Sequence, residues 1–123
     1  MQEAGEHYRP LVAEDGESGA VVGFADGGRE RSGDPHYDGE LYAIYLLQSA
    51  QRQGIGRQLV KAVAKELSSS FHAMLVWVLA QNEARRFYEA LGGVYLRETS
   101  VRIAGKELIE VGYGWSDLKT LVN

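Results

Sequence analysis

The chain of 123 residues contains no cysteine. That excludes a disulfide framework, a thiolate metal site and a cysteine nucleophile. It also fits a reducing compartment, so the cytoplasm is the expected location. No apolar run approaches the ~20 residues of a membrane span. The opening Met1-Gln2-Glu3-Ala4-Gly5-Glu6 is polar and lacks the apolar core of a signal peptide. Positive charge is scarce: a net charge of −4 argues against a nucleic-acid surface. His7, His36 and His72 stand far apart without ligand spacing, so no metal site is expected. Acids gather at Glu14, Asp15 and Glu17 and again at Asp34, Asp38 and Glu40, either as solvated loops or as a field that attracts a cationic acceptor. A chain of this length buries roughly two-thirds of its unfolded surface and needs no staples. Without repeat or linker, residues 1–123 are expected to form one domain.

What the chain does have is a glycine turn, Gln51-Arg52-Gln53-Gly54-Ile55-Gly56-Arg57. It follows the near-continuous apolar run Leu41 to Leu47 and opens an amphipathic helix with Ile55, Leu59, Ala62, Val63 and Leu67 on one face. Such a turn offers bare N–H groups and the positive helix end to an anion, most often a phosphate. Arg52 and Arg57 add charge where a diphosphate would sit. Two common uses are excluded. A nucleoside-triphosphate loop needs Lys and Ser/Thr after its last glycine, and here Arg57 and Gln58 follow Gly56. The dinucleotide fingerprint needs a third glycine where Leu59 stands. On local sequence alone, a ligand-free turn relieved by glycine is the alternative.

The surrounding pattern is mixed α/β. Pro10 to Glu14 is predicted as a strand, Asp15 to Gly19 as a turn, and Ala20 to Ala25 as the hairpin partner. Residues 26–39 have loop composition. Leu41 to Leu47 is apolar on both pleat faces, as a central strand covered on both sides would be. The helix from about Gly54 to Leu67 ends at Ser68-Ser69-Ser70, and Ala73 to Ala80 is a second buried strand, giving a parallel crossover unit. Asn82 is a good N-cap for a helix with Ala84, Phe87, Tyr88 and Leu91 on one face, stopped by Gly92-Gly93. Val94 to Ile103 and Glu107 to Trp115 close the chain as two strands. Trp77 reads as packing, Tyr45 as core, and Trp115 as a candidate interface residue.

These blocks resemble the GNAT superfamily of N-acetyltransferases. A strand ending in Leu46-Leu47 leads into the turn Gln51 to Gly56 and its helix. Asn82 to Gly93 is similar to the family's helix after its fifth strand, Gly39 to Tyr45 to its fourth strand, and Val12 to Asp15 with Val21 to Ala25 to its central hairpin. The likeness runs from about Arg9 to Leu118. It implies a mixed, mostly antiparallel sheet with a splayed parallel β-α-β pair, and acetyl-CoA as co-substrate. The pantetheine would bond main chain near Leu46 and Leu47. The diphosphate would sit on Arg52, Gln53, Gly54, Ile55, Gly56 and Arg57, where a Cβ at either glycine would hold it off the backbone.

One departure is large: only Met1 to Tyr8 precede the hairpin, where the family carries a strand and helices that wall the acceptor site. A borrowed wall from a second chain, a more open site and impaired catalysis all follow as alternatives. Uncovered apolar sheet would favour a homodimer. Gln48-Ser49 also replaces the Pro-Glu often found in the family, a minor change.

Acetyl transfer from a thioester needs an unprotonated amine and a proton for the departing thiolate. Tyr88, on the buried helix face, matches the position of the family's general acid; it would otherwise be a core tyrosine. Glu40 matches the position of a general base; it would otherwise be an edge-exposed strand glutamate. Asn82 bonds coenzyme, caps its helix, or both. Tyr37, Tyr42 and Tyr45 are candidates for the acceptor pocket, with core the favoured reading for Tyr45. The expected function is transfer of acetyl from acetyl-CoA to a primary amine of a small molecule or protein, by direct attack in a ternary complex. The alternatives are a non-catalytic acyl-CoA-binding or sensor module and, less in keeping with the motifs, a structural dimerisation domain.

Overall fold

The structure is a computed structural model that describes residues 10–122. The Met1 to Tyr8 segment, His7 and the start of the family likeness at Arg9 lie outside the described residues. Strands β1 (Leu11–Glu14) and β2 (Val21–Arg29) form the first hairpin. Asp15 shapes its turn by accepting the amide of Glu17 at 2.8 Å, and Gly19 supplies the left-handed residue at φ +74°. Loop composition misleads over 26–29, because β2 runs on through Asp26, Gly27, Gly28 and Arg29. Glycine is present there for close approach. A Cβ on Gly27 would lie 2.8 Å from the Glu40 carbonyl oxygen, and one on Gly28 would lie 2.8 Å from the Tyr42 hydroxyl.

Next come β3 (Gly39–Leu46), a single 3₁₀ turn at Gln48–Ala50, α1 (Ile55–Leu67), β4 (Met74–Leu79) and α2 (Ala84–Ala90). The hairpin β5 (Val94–Ile103) and β6 (Lys106–Trp115) turns at Ala104 and Gly105, both at positive φ as a two-residue hairpin turn requires. The sheet order is β1-β2-β3-β4-β6-β5, with β3 and β4 parallel and the other neighbours antiparallel. This is the mixed, mostly antiparallel sheet expected, with one parallel β-α-β pair at its centre. A closing helix, α3 (Leu118–Val122), went unpredicted. Its signal was present: Asp117 accepts the amide of Lys119 at 3.0 Å, and Leu118 and Leu121 are buried in the core that α1 shares. No described helix is long and apolar enough to cross a membrane.

The core lies on one face of the sheet, under α1. The buried stripe of α1 is Leu59, Val60, Val63, Ala64 and Leu67, rotated slightly from expectation, so that Ala62 is exposed. These side chains meet Ala25, Leu41, Val76, Tyr113 and Trp115. Each fully buried Leu or Val contributes about 1.5–3 kcal/mol. Trp115 is therefore core, not interface. It is 4% exposed, and its Nε1 donates to the Leu91 carbonyl at 3.0 Å.

The opposite face is covered only in part. The 30–38 segment folds over it, setting the Tyr37 ring against Gly114. Its acids serve structure. Glu30 accepts the Ser32 hydroxyl and the Asp34 amide, Asp34 accepts the His36 and Tyr37 amides and pairs with Arg97 at 2.9 Å, and Asp38 accepts the His72 and Ala73 amides. Burial pushes the Glu30 and Asp34 carboxyls up, but these hydrogen bonds more than offset it and hold both below their ordinary values. Beyond this cover, Val12, Phe24 and Tyr45 stand in register across three strands and face solvent. Tyr45 is 54% exposed and stacks on Phe24, so it is not core, and β3 is not covered on both faces past Leu41.

Candidate active site

Pairing between β3 and β4 stops after Gly39↔Met74, Glu40↔Leu75 and Leu41↔Val76, although both strands continue. A bulge accompanies the split. Asp26 faces Ala43 while Gly27 faces Leu41, so Tyr42 is an extra residue on β3 and bends the strand away. Antiparallel alternation then decides which backbone groups look into the fork. Leu47 donates its amide to Val22 at 2.8 Å, so Tyr45 also bonds β2, while Ile44 and Leu46 turn theirs toward the gap. Across it, Ala80 donates to Ile109 at 2.9 Å, which leaves Trp77 and Leu79 facing β3. Leu46 thus presents an amide to the fork. Leu47 does not, because its amide is taken by Val22 and its carbonyl accepts the Ala50 amide. Ile44 occupies the position that sequence reasoning had assigned to Leu47.

The glycine turn lies beyond the end of β3, leading into α1. Arg52 and Gly54 both adopt positive φ, +65° and +79°. The side chains of Gln51 and Gln53 fold back to the carbonyls of Leu46 and Ser49. Among the described residues, no acceptor takes the amides of residues 52–57; the first engaged is that of Gln58, on Gly54. A run of unpaired amides at a helix N-terminus, flanked by Arg52 and Arg57, fits a diphosphate. The two glycines differ. Gly54 supplies a left-handed conformation and has open space around it, whereas a Cβ on Gly56 would meet the Phe87 ring of α2 at 3.4 Å, an ordinary contact.

Phe87 carries Tyr88 with it. The Tyr88 ring lies edge-on to Phe87 (5.3 Å) and to Trp115 (6.3 Å), and Trp115 pairs with Met74 at the closed end of the fork. Tyr88 is 4% exposed, and its hydroxyl has no hydrogen-bond partner among the described residues. Burial alone pushes its pKa up to about 12. A buried hydroxyl left unpaired is costly and is usually kept for a ligand or a reaction. Asn82 caps α2, with Oδ1 accepting the Ala84 amide at 2.8 Å. The network holding α2 to the sheet was not legible in the sequence: Tyr113 donates to Glu89 at 2.6 Å and accepts from Arg85 at 3.1 Å.

Glu40 sits one rung before the fork on the face away from the helices. It is buried, not edge-exposed, and it is occupied. Arg31 donates to it through Nη2 at 3.0 Å, through Nε at 3.4 Å and through the main-chain amide at 3.1 Å. The Arg31 guanidinium also lies 4.0 Å over the Tyr42 ring, while the Tyr42 hydroxyl donates to the Arg29 carbonyl. The hydrogen bond that Arg31 donates to Glu40 raises the Arg31 pKa, and burial raises that of Tyr42. Sequence reasoning missed Arg31, whose partner is nine positions away across an irregular segment.

A fork, an amide-lined turn and a buried tyrosine are the parts of an acyl-CoA site, and comparison with known proteins agrees. The model of the FR47-like protein family matches residues 34–103. The chain belongs to that GNAT-type family. It is 50% identical over 117 residues to YuaI of Bacillus subtilis strain 168, described as an uncharacterized N-acetyltransferase, a match covering 92% of the chain and 67% of YuaI. Among solved structures it is similar to yncA of Salmonella typhimurium, determined with its cofactor acetyl-CoA, at 26% identity and a TM-score of 0.66, over 83% of the chain and 61% of yncA. Chaetomium thermophilum Naa20, in complex with a bisubstrate analogue, shares the fold at 23% identity and a TM-score of 0.71, over 90% of the chain and 66% of Naa20. The FR47-like chain thus spans about two thirds of the length of each relative.

Proposed function

We propose that this chain is an N-acetyltransferase that moves an acetyl group from acetyl-CoA to a primary amine by direct attack in a ternary complex. The observation that carries the reading is the fork: unpaired amides at 52–57 lead along the open edge of β3 toward a buried, unpartnered Tyr88 hydroxyl. The diphosphate would rest on the turn with Arg52 and Arg57, and the pantetheine would bond the main chain of Ile44 and Leu46. Asn82 would add a contact from the cap of α2.

The amine nitrogen attacks the thioester carbonyl carbon, the C–S bond breaks, and a proton leaves nitrogen as one reaches sulfur. A lysine-like amine has a pKa of ~10.4 and must first lose a proton at neutral pH. Glu40, directly or through water, is the carboxylate placed to take it. Tyr88 supplies the proton side. With its pKa at about 12 against ~8.5 for a thiol, complete transfer from a resting tyrosine would be uphill by ~5 kcal/mol. Tyr88 therefore keeps its proton and stabilises the departing thiolate as a hydrogen-bond donor, and the proton shed by the attacking nitrogen ends on the sulfur.

Thiol release with a panel of primary amines tests this. The expected result is steady turnover on at least one amine. Coenzyme binding without turnover on any would favour the sensor reading, whose support is that Arg31 holds both Glu40 oxygens. The homodimer belongs to the same proposal. The exposed Val12, Phe24 and Tyr45 support it, and a sedimentation profile of monomer alone at micromolar concentration would contradict it. A cytoplasmic location and a single domain complete the reading, the former because the reaction draws on acetyl-CoA.

A further inference from the structure

Resting on that acetyltransferase reading, we infer that Arg31 is a built-in stand-in for the acceptor ammonium, and that the acceptor is a cationic primary amine which displaces it from Glu40 and Tyr42. The geometry has three parts. First, the guanidinium occupies a cation site: a carboxylate 6% exposed on one side and an aromatic face 4.0 Å away on the other. Second, the site stands at the mouth of the fork. Glu40 is one rung before the last β3–β4 pair, and Tyr42 is the bulge residue just after it, on the same face. Third, the occupant is replaceable. The Arg31 side chain is 63% exposed, and when it leaves, Glu40 keeps the Arg31 amide as a partner. Asp26 and Arg29 also reach this site with opposite charges, so once Arg31 leaves, Glu40 keeps the site net negative and suited to a cation.

An ammonium that takes this place lies against the carboxylate able to deprotonate it, next to where the thioester would sit. The same displacement frees Glu40 from a competing cation. Acceptor binding and release of the base are then one event. Arg31 acts as a positioning residue whose removal should favour the acceptor, the reverse of what loss of an acceptor-binding arginine would do.

The test uses the full chain with n-butylammonium chloride as probe. In Arg31→Ala, and in Arg31→Gln as a second variant, KM for the amine is expected to fall about tenfold, the size of one ion pair open to water on the arginine side plus one cation–π contact. Tyr42→Leu is expected to raise it. A KM unchanged or raised in both Arg31 variants would overturn the inference. A readout independent of turnover keeps the two proposals apart: the Arg31 Nε–H NMR signal of the unaltered protein should shift as butylammonium is added. A shift without turnover on any amine would sink the acetyltransferase reading and leave the cation site standing. Turnover with no shift and no change in KM would sink the cation site alone.

Discussion

The two faces of the sheet hold their residues by different means. On the helix side, Leu41, Val60, Val63, Leu67, Tyr113 and Trp115 interlock around Tyr88. Interiors packed in this way are dense and resist adjustment. On the other face the Arg31–Glu40 and Arg97–Asp34 pairs rest over Tyr42 and Trp77, with each arginine partly in water. Each pair joins a partly exposed guanidinium to a buried carboxylate, so the arginine can exchange for another cation but the carboxylate cannot be left unpaired without cost. On the proposed reading, the rigid face serves the coenzyme and the exchangeable one meets the acceptor.

Substitutions should separate the faces, beginning with the largest effect. Tyr88→Phe is expected to lower kcat by about 10²–10³-fold, the usual range for losing one donor to a developing negative charge, with acetyl-CoA affinity retained in a calorimetric titration. An unchanged kcat would return Tyr88 to the core. Gly54→Val, a β-branched residue at φ +79°, is expected to weaken acetyl-CoA about tenfold, since left-handed strain costs about 1–2 kcal/mol, while amine KM stays fixed. Equal losses for both substrates would erase the division between faces.

A pH series reaches Tyr88 from another side. Folded Tyr88 keeps its proton to about pH 12, whereas the unfolded phenol loses it near ~10. Between those values the unfolded state binds fewer protons, so stability falls as pH rises through that window, by at most ~3 kcal/mol. Tyr88→Phe should remove that part of the alkaline loss, as read by urea unfolding at pH 9 and pH 11. In the active enzyme, kcat/KM should climb toward the pKa of the amine with no alkaline fall below about pH 10. The smallest effect belongs to the exposed strip: Tyr45→Ser should leave both kinetic constants within about twofold and weaken self-association in sedimentation.

Periodicity and turn chemistry made the coenzyme face legible. The stripe of α1, the Gly54–Gly56 turn and the Asn82 cap are local signals, written within one helix length. The acceptor face was less so, for physical reasons. Gly27 and Gly28 look like loop residues until Tyr42 and Glu40 are seen pressed against them. The acids at 34, 38 and 40 look solvated until their partners arrive from residues 31, 72, 73 and 97. Tyr45 and Trp115 exchanged roles for a related reason. Apolar alternation reports that a side chain prefers burial, but the covering element decides whether it gets it: α2 and the turn after it cover Trp115, while no described helix covers Tyr45. Leu47 was misplaced because only strand register shows which amides face the fork.

Isothermal titration of the chain with acetyl-CoA bears most directly on the central claim that the fork and the 52–57 amides form a complete coenzyme site. The account predicts saturable binding at micromolar ligand that Gly54→Val weakens about tenfold. Absence of binding at millimolar acetyl-CoA, with the protein folded, would contradict it.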